Sequence, residues 1–273
     1  MKRVRNETCY DGFVVVHGQG PGGEREWSST TAPNSIDLAF LPHRRSIVRR
    51  ASGRYEERSF CVGQGGTHGL EPIEFVDVAT PSDYVEFQLE ENFLVESARA
   101  FGAPDIRSLP ERHDIIDPVF WAVAARFRAS ALQAWPIEDP EAYELIARLV
   151  EHLFRAYLGA KPRRRTQLAL DKRQLIMVNE CVNSKLDAKL SIDELADAAA
   201  VSKYHFIRAF KAATCMTPYE FILSRRMERA RQALLLSKMS VTEAASAVGY
   251  QNAEHFRFAF KRYFGVLPST YQA

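Results

Sequence analysis

The side chains best suited to hold a metal ion are His68, Glu71 and Glu74, which lie close together and could be joined by His17 or His43. Imidazole and carboxylate groups are common ligands of zinc. Metal sites in β-barrels usually contain a closer His-x-His pair, however, and the sequence has none. We therefore predict no metal and no other cofactor.

A glycine-rich run at residues 18–23 follows the strand-like segment FVVVH and has the G-x-G-x-x-G spacing of dinucleotide-binding loops. Such a loop needs a helix that begins at the glycines, because the helix N-terminus binds the pyrophosphate. The segment that follows is polar and is broken by Pro33. We interpret the run as a plain loop, and the glycines of residues 63–66 as another turn.

The four cysteines are far apart and form no C-x-x-C pair: Cys9, Cys61, Cys181 and Cys215. This spacing favours reduced thiols in a cytosolic protein. Cys9 or Cys61 as a nucleophile would need a neighbouring base, which the sequence does not place. We predict no catalytic residue and no enzyme activity.

The chain has 273 residues, the length of one large domain or two ordinary ones. No apolar run reaches the roughly 18–20 residues of a membrane span. Glu7 and Asp11 interrupt any secretory signal, so we expect a cytoplasmic protein with no membrane partner. Residues 1–160 contain 17 basic and 24 acidic side chains, a net charge of −7, whereas residues 161–273 contain 19 and 10, a net charge of +9. The basic half points to a polyanionic partner.

The acidic half has the sequence pattern of a small antiparallel sheet or barrel over roughly residues 8–90. Ten of the 14 glycines lie within residues 1–69. Short β-branched or aromatic segments alternate there with turns: FVVVHGQG, SIDLAFLP, RYEERSFCVG, IEFVDV and DYVEFQLE. Four aromatic residues fill the barrel or, alternatively, line an effector pocket: Trp27, Phe40, Tyr55 and Phe60.

Helical sequence begins at about Leu94, and two later helices are introduced by Asp-Pro at Asp117 and Asp139. The second carries an apolar stripe that packs on the sheet or, alternatively, forms a dimer helix: Ile146, Leu149, Val150, Leu153 and Tyr157. Gly159 ends this helix. Residues 161–170, which include KPRRR, are predicted to be a basic linker.

The basic half contains an internal repeat. Residues 202–211, SKYHFIRAFK, align with residues 252–261, NAEHFRFAFK, at an offset of 50. Upstream of them the offset falls to 49. A one-residue difference within a turn is compatible with a duplicated helix–turn–helix unit.

Each copy has the features of such a unit, at residues 191–211 and 240–261. Ser191 and Ser240 can begin capping boxes, and Ser202 and Asn252 can cap the second helices. One stripe of each second helix is predicted to be buried: His205, Phe206 and Phe210, and His255, Phe256 and Phe260. The opposite face of the first copy is free to reach base edges and phosphates: Lys203, Tyr204, Ile207, Arg208 and Lys211.

Residues 218–237, between the copies, can form one connector helix about 30 Å long. Successive major-groove segments on one side of B-DNA are about 34–36 Å apart. The connector is therefore predicted to set two recognition helices into adjacent segments. The alternative is an all-α bundle with a duplicated hairpin and no nucleic-acid partner.

These residues resemble the AraC/XylS-type transcription regulators over about residues 171–273. The resemblance rests on LSIDELADAAAVSKYHFIRAFK, TPYEFILSRRMERARQALL and VTEAASAVGYQNAEHFRFAFKRYFGVLPSTY. It implies DNA contacts by Tyr204, Ile207, Arg208, Ala253, Glu254, Arg257 and Phe258. It also implies an N-terminal domain with a cupin-like β-barrel followed by helices, which binds an effector or mediates dimerisation, and RNA polymerase as a partner.

Four positions depart from the family pattern. Ala200 and Cys215 stand where glycine is common, and a positive φ there would cost about 1 kcal/mol at each. Phe258 replaces the usual arginine, and Glu254 would accept a hydrogen bond from cytosine N4 or repel phosphates. We therefore expect the first unit to discriminate sequence more than the second, with Arg208 as its guanine contact.

The sequence thus predicts a two-domain α+β protein, with an effector-sensing or dimerisation domain at residues 1–160 and a DNA-binding domain at 171–273. Its partners would be double-stranded DNA, a small-molecule effector, RNA polymerase and a second copy. Phosphate contacts are assigned to Lys203, Lys211, Lys261 and Arg262. One alternative is an enzyme whose barrel performs metal- or nucleotide-dependent chemistry beside an accessory DNA-binding domain. Another is a DNA-binding adaptor that responds to no small molecule.

Overall fold

A computed structural model describes residues 4–22, 29–78, 80–103, 106–160 and 169–272. The N-terminal part is rich in strands and the C-terminal part is helical, which confirms the mixed α and β class. Trp27 and residues 161–168 of the predicted linker lie outside the described residues.

Ten strands within the described residues form two antiparallel sheets. The six-stranded sheet has the order β1 (Val4–Tyr10), β2 (Phe13–Gly20), β9 (Ser82–Leu89), β4 (Ser35–Ala39), β7 (Gln64–His68) and β10 (Arg112–Ile116). The four-stranded sheet has the order β3 (Ser29–Thr30), β8 (Ile73–Val78), β5 (His43–Arg50) and β6 (Tyr55–Phe60). The predicted sheet-rich region is confirmed, and its closure into a barrel stays a prediction.

The glycine-rich runs differ in part from their predicted loop and turn structure, although Gly22 and Gly63 lie outside the strands and have positive φ values. Gly18 and Gly20 lie in β2, and Gly65 and Gly66 lie in β7. Gly18 pairs with Tyr84, and a Cβ atom on Gly18 would lie 2.3 Å from the tyrosine ring. The glycine therefore leaves room for a cross-strand aromatic side chain, which keeps the strand intact.

The predicted aromatic cluster is divided by the fold. Phe40 and Phe60 are buried in the core, whereas Tyr55 is 60% exposed and does not fill the core. Two of the predicted metal candidates have other environments: Glu71 is exposed and lies 4.0 Å from Arg50, and Glu74 forms an ion pair with Arg49. None of the four cysteines forms a disulfide within the described residues.

Nine helices follow or interrupt the strands in the described part of the chain. They are α1 (Glu91–Ala100), α2 (Pro118–Ala131), α3 (Asp139–Tyr157), α4 (Lys172–Ser184), α5 (Ile192–Ala198), α6 (Lys203–Thr214), α7 (Pro218–Leu236), α8 (Val241–Ser246) and α9 (Ala253–Phe264). A short 3₁₀ helix, Pro268–Tyr271, ends the fold. No described helix has both the length and the apolar character required to cross a bilayer.

Contacts divide the chain into two compact units. The sheet unit consists of the chain up to Ile116 and the segment that begins at Leu149. The helical unit consists of Asp117–Arg148 and the described residues from 169 onward. Helix α2 and the start of α3 thus group with the C-terminal helices, although the sequence placed them in the first domain. The functional division at residues 160–171 stays a prediction.

The apolar stripe of α3 is buried within the single chain. Ile146, Leu149, Val150 and Leu153 have almost no exposed surface. These four side chains are not available to a second copy, so they do not form the alternative dimer helix.

Candidate nucleic-acid interface

Both helix–turn–helix units begin with the predicted capping box. The Ser191 hydroxyl accepts a hydrogen bond from the Glu194 amide at 3.2 Å, and Glu194 accepts one from the Ser191 amide at 2.8 Å. Ser240 and Glu243 form the same pair at 3.2 and 2.8 Å. Because each box satisfies amides that the helix leaves unpaired, α5 and α8 can form despite their short length.

The recognition helices α6 and α9 begin at the predicted N-caps. Ser202 accepts a hydrogen bond from the His205 amide, and Asn252 accepts hydrogen bonds from the amides of Glu254 and His255. The buried stripe contains Phe206 and Phe210 in α6, and Phe256 and Phe260 in α9.

The prediction that His205 and His255 belong to this stripe was wrong, because both are exposed. At about 100° per residue, each histidine lies about 90° around its helix from the centre of the stripe. Alanine takes the place predicted for histidine in α6, where Ala209 and Ala213 complete the buried face.

The outer face of α6 presents mostly exposed side chains. Tyr204 is 82% exposed, and Lys203, Ile207, Arg208 and Lys211 are also exposed. Lys203 is paired with Asp193 through an Nζ–Oδ2 distance of 2.8 Å, and this hydrogen bond raises the pKa of Lys203. Arg208 and Lys211 have no ion pair within the described residues, so their charges are available to a ligand.

The outer face of α9 is less basic. Phe258 is 73% exposed, Ala253 is half-buried, and Glu254 pairs with Arg257 one turn later. Lys261 and Arg262, at the end of α9, are exposed. The cationic surface of α9 is therefore concentrated at its C-terminal end.

The two turns of the first unit have left-handed residues where the second unit has glycine. Ala200 and Cys215 have φ values of 53° and 58°. The equivalent positions, Gly249 and Gly265, have φ values of 80° and 75°. Both departures from the family pattern therefore place a Cβ atom in a conformation that costs about 1–2 kcal/mol.

Replacing Ala200 by glycine will stabilise the helical unit by about 1 kcal/mol, because it removes this conformational cost. The Ala200 side chain is exposed, so no buried contact is lost. Urea unfolding followed by circular dichroism measures the change. Ala199→Gly is the matched control: its φ is −85° and its methyl group is buried, so that substitution will destabilise. Equal destabilisation by both substitutions would contradict the assignment of strain to Ala200.

Helix α2 contacts the connector helix α7 through buried polar groups that the sequence did not reveal. The Trp121 indole donates a hydrogen bond to the Ser224 hydroxyl at 2.9 Å. Glu228 lies between Arg128 and Arg231, and all three are buried. Both guanidiniums also lie within 5.7 Å of the Phe264 ring centroid. The signal in the sequence is a pair of arginines, Arg126 and Arg128, within the apolar segment of α2.

A cavity of about 1010 Å³ lies within the helical unit beside α6. Ile207, Arg208 and Lys211 of the recognition helix form part of its wall. Glu141 and Glu144 of α3 and the aromatic residues Trp135 and Tyr263 also line it. The cavity therefore shares side chains with the face that the sequence assigned to DNA.

A family model matches the C-terminal part of the chain. Residues 195–273 match a family model described as a helix-turn-helix domain. The Msm operon regulatory protein of Streptococcus mutans is 27% identical over 132 residues, which are 48% of this chain and 45% of that protein. The MmsAB operon regulatory protein of Pseudomonas aeruginosa is 37% identical over 87 residues, which are 32% and 28% of the two chains. This chain thus spans less than half the length of either relative.

A solved structure of a transcriptional regulator from Chromobacterium violaceum, described as containing an AraC-type DNA-binding domain, is 25% identical. The match covers 36% of this chain and 88% of the solved chain, and its TM-score is 0.35.

Two capped helix pairs joined by a long helix define a tandem helix–turn–helix domain. Residues 195–273 thus match the helix-turn-helix family model, and this part of the chain is similar to the AraC/XylS-type DNA-binding domains.

Proposed function

We propose that the protein is a sequence-specific transcription regulator that binds two adjacent major-groove segments of double-stranded DNA. The repeated helix pair carries this proposal, because each copy buries one face of its second helix and exposes the other. The connector α7 has 19 residues and is therefore about 28 Å long. This length is close to the roughly 34–36 Å between successive groove segments.

We assign the reading of base sequence mainly to the first unit. Tyr204, Ile207 and Arg208 would contact base edges, and Lys211 would contact phosphate, since its charge has no ion-pair partner in the described part of the chain. Lys203 would exchange its pair with Asp193 for a phosphate contact.

In the second unit, the pair between Glu254 and Arg257 reduces the charge available to DNA. Ala253 and Phe258 offer apolar contacts, of the kind that thymine methyl groups accept. Lys261 and Arg262 would contribute phosphate contacts that carry no sequence information.

The cavity beside α6 supports a response to a small molecule. Its volume is at the upper end of the range for ligand pockets, about 300–1,000 Å³. A ligand in it would contact Arg208 and Lys211, the same side chains that we assign to DNA. Such a ligand would change DNA affinity by favouring one of two states. A DNA affinity that no small molecule alters would favour the adaptor without a ligand.

The remaining parts of the proposal follow from the family resemblance. They are a cytoplasmic location, a closed cupin-like barrel in residues 1–160, contact with RNA polymerase and a homodimer. Because the α3 stripe is buried, a homodimer would have to use another surface. We propose no enzyme activity, since the relatives named above are regulatory proteins.

Selection of randomised duplexes by the full-length protein at low salt tests the function. We expect enrichment of an asymmetric site whose two elements are about 10–10.5 base pairs apart. Tyr204→Ala should remove preference in one element only, and Phe258→Ala in the other only. Absence of any enriched sequence from a folded protein would overturn the proposal.

A further inference from the structure

A second cluster of functional groups lies in the sheet unit, away from the helix–turn–helix repeat in sequence. It contains His68 at the end of β7, Glu111 just before β10 and His113 within β10. One nitrogen or oxygen atom from each side chain lies within 4.8 Å of the others. The pairing of β7 with β10 brings these residues together, and its register shifts between Arg112 and Ile115. Irregularities of this kind often occur beside functional sites.

The two ring nitrogens of His68 have different environments. Nε2 lies 3.1 Å from Oδ1 of Asp37. Nδ1 is buried and has no hydrogen-bond partner among the described residues, in a side chain that is only 2% exposed. With the ring proton donated to Asp37, Nδ1 keeps a lone pair. Metal-binding histidines typically donate their other ring N–H to a carboxylate in this way.

His113 and Glu111 complete the cluster. Arg58 lies 3.2 Å from Nδ1 of His113, and a guanidinium can only donate, so Nδ1 accepts and Nε2 carries the proton. That proton points to Glu111, whose Oε1 lies 2.6 Å from Nε2. A metal ion between these two atoms would replace the proton, which leaves to water. Ligands about 2.1 Å from a tetrahedral ion are about 3.4 Å apart, so the pair would open by less than 1 Å.

Neighbouring residues leave room around the cluster and give it a net negative charge. A Cβ atom on Gly66 would lie 2.9 Å from Oδ1 of Asp37 and 3.4 Å from Nδ1 of His113. Glycine therefore allows these groups to approach each other. The surrounding carboxylates outnumber the guanidiniums by one, since Asp37, Glu56, Glu71 and Glu111 accompany Arg50, Arg54 and Arg58. This excess of negative charge favours a divalent cation.

We infer that His68, His113 and Glu111 form a binding site for a divalent first-row transition-metal ion such as Zn²⁺, with Asp37 and Arg58 orienting the two imidazoles. Two imidazoles and one carboxylate suit such ions, and three protein ligands leave a position for water. The site is independent of DNA binding. Ligands from paired strands need not be close in sequence, so a site of this kind has no His-x-His pair.

Titration of the full-length protein with Co²⁺, after removal of metals by a chelator, tests this inference. We expect visible ligand-field absorption that saturates at one ion per chain and is displaced by Zn²⁺. Asp37→Asn should weaken binding by about 10–100-fold, as is usual for a partner of a ligand histidine. His68→Ala and His113→Ala should weaken it further.

His43→Ala is the matched control, because His43 is also buried in the sheet unit but contacts Ser46 instead. Circular dichroism checks that each variant is folded, and Glu111→Gln replaces any histidine variant that is not. Saturable absorption that is unchanged in the folded ligand variants, or no Co²⁺ binding at all, would overturn the inference. Duplex selection on the same samples shows separately whether the proposed DNA-binding function holds.

Discussion

Replacing Glu228 by glutamine will lower the free energy of unfolding of the helical unit by about 3–5 kcal/mol. The substitution keeps the size of the side chain but removes the negative charge between Arg128 and Arg231. All three side chains are at most 1% exposed, so water cannot solvate the two guanidiniums that remain. Urea unfolding of the full-length protein, followed by far-ultraviolet circular dichroism, measures this loss of helix stability.

Two further variants distinguish the contribution of charge pairing to stability from that of side-chain packing. Glu144→Gln makes the same change at an exposed position of α3 and should alter stability by less than about 0.5 kcal/mol. The triple variant Arg128→Met, Glu228→Leu and Arg231→Met removes every buried charge and should recover most of the stability. A loss below about 1 kcal/mol for Glu228→Gln would show that the network does not stabilise the fold.

The network also determines what a DNA-binding fragment must contain. Trp121 and Arg128 come from α2, which precedes the predicted linker, and both contact α7. A fragment that begins after residue 160 would therefore leave Ser224 and Glu228 without these partners. DNA binding therefore has to be measured on the whole 273-residue chain.

Replacing Arg208 by alanine will reduce the preference for the selected site over random duplex by about 1–3 kcal/mol, roughly 5–150-fold. Arginine can donate two hydrogen bonds to O6 and N7 of guanine, and alanine cannot. The exposed position of Arg208 on the outer face of α6 permits this contact. Competition between the selected duplex and a scrambled duplex, at fixed salt, measures the ratio of affinities.

Lys211→Ala gives the contrasting result, because a phosphate contact carries no sequence information. It should weaken binding to both duplexes equally and reduce the salt dependence by about one released ion. Arg99→Ala, an exposed position on α1, removes the same charge outside the helix–turn–helix domain and should change neither quantity. An unchanged ratio for Arg208→Ala would exclude a base contact by this residue.

Local sequence patterns predicted the helix–turn–helix repeat well because their physical causes act over a few residues. A capping box joins residues three positions apart, and a buried stripe repeats within one or two turns. The caps at Ser191, Ser202, Ser240 and Asn252 are therefore confirmed. The prediction that His205 and His255 are buried was wrong because a residue beside a buried phenylalanine can point to either side of the helix.

Residues that act through distant partners were not predictable in this way. Glycine in β2 looked like a loop until Tyr84 of β9 supplied the missing side chain. Arg128 had no predicted role, and its counter-ion Glu228 lies 100 residues later in the chain. In both cases the partner, and not the residue itself, decides the local structure.

By itself, the sequence determined the repeat, its caps, the outer face of α6 and the basic character of the C-terminal half. Only the tertiary structure decided that α2 contacts α7 of the helix–turn–helix domain, and that His68 and His113 lie in one cluster. The reason is physical: caps and stripes follow from backbone geometry over single turns. Ion networks and metal ligands depend on which distant segments pack or pair, and no short spacing in the chain encodes that choice.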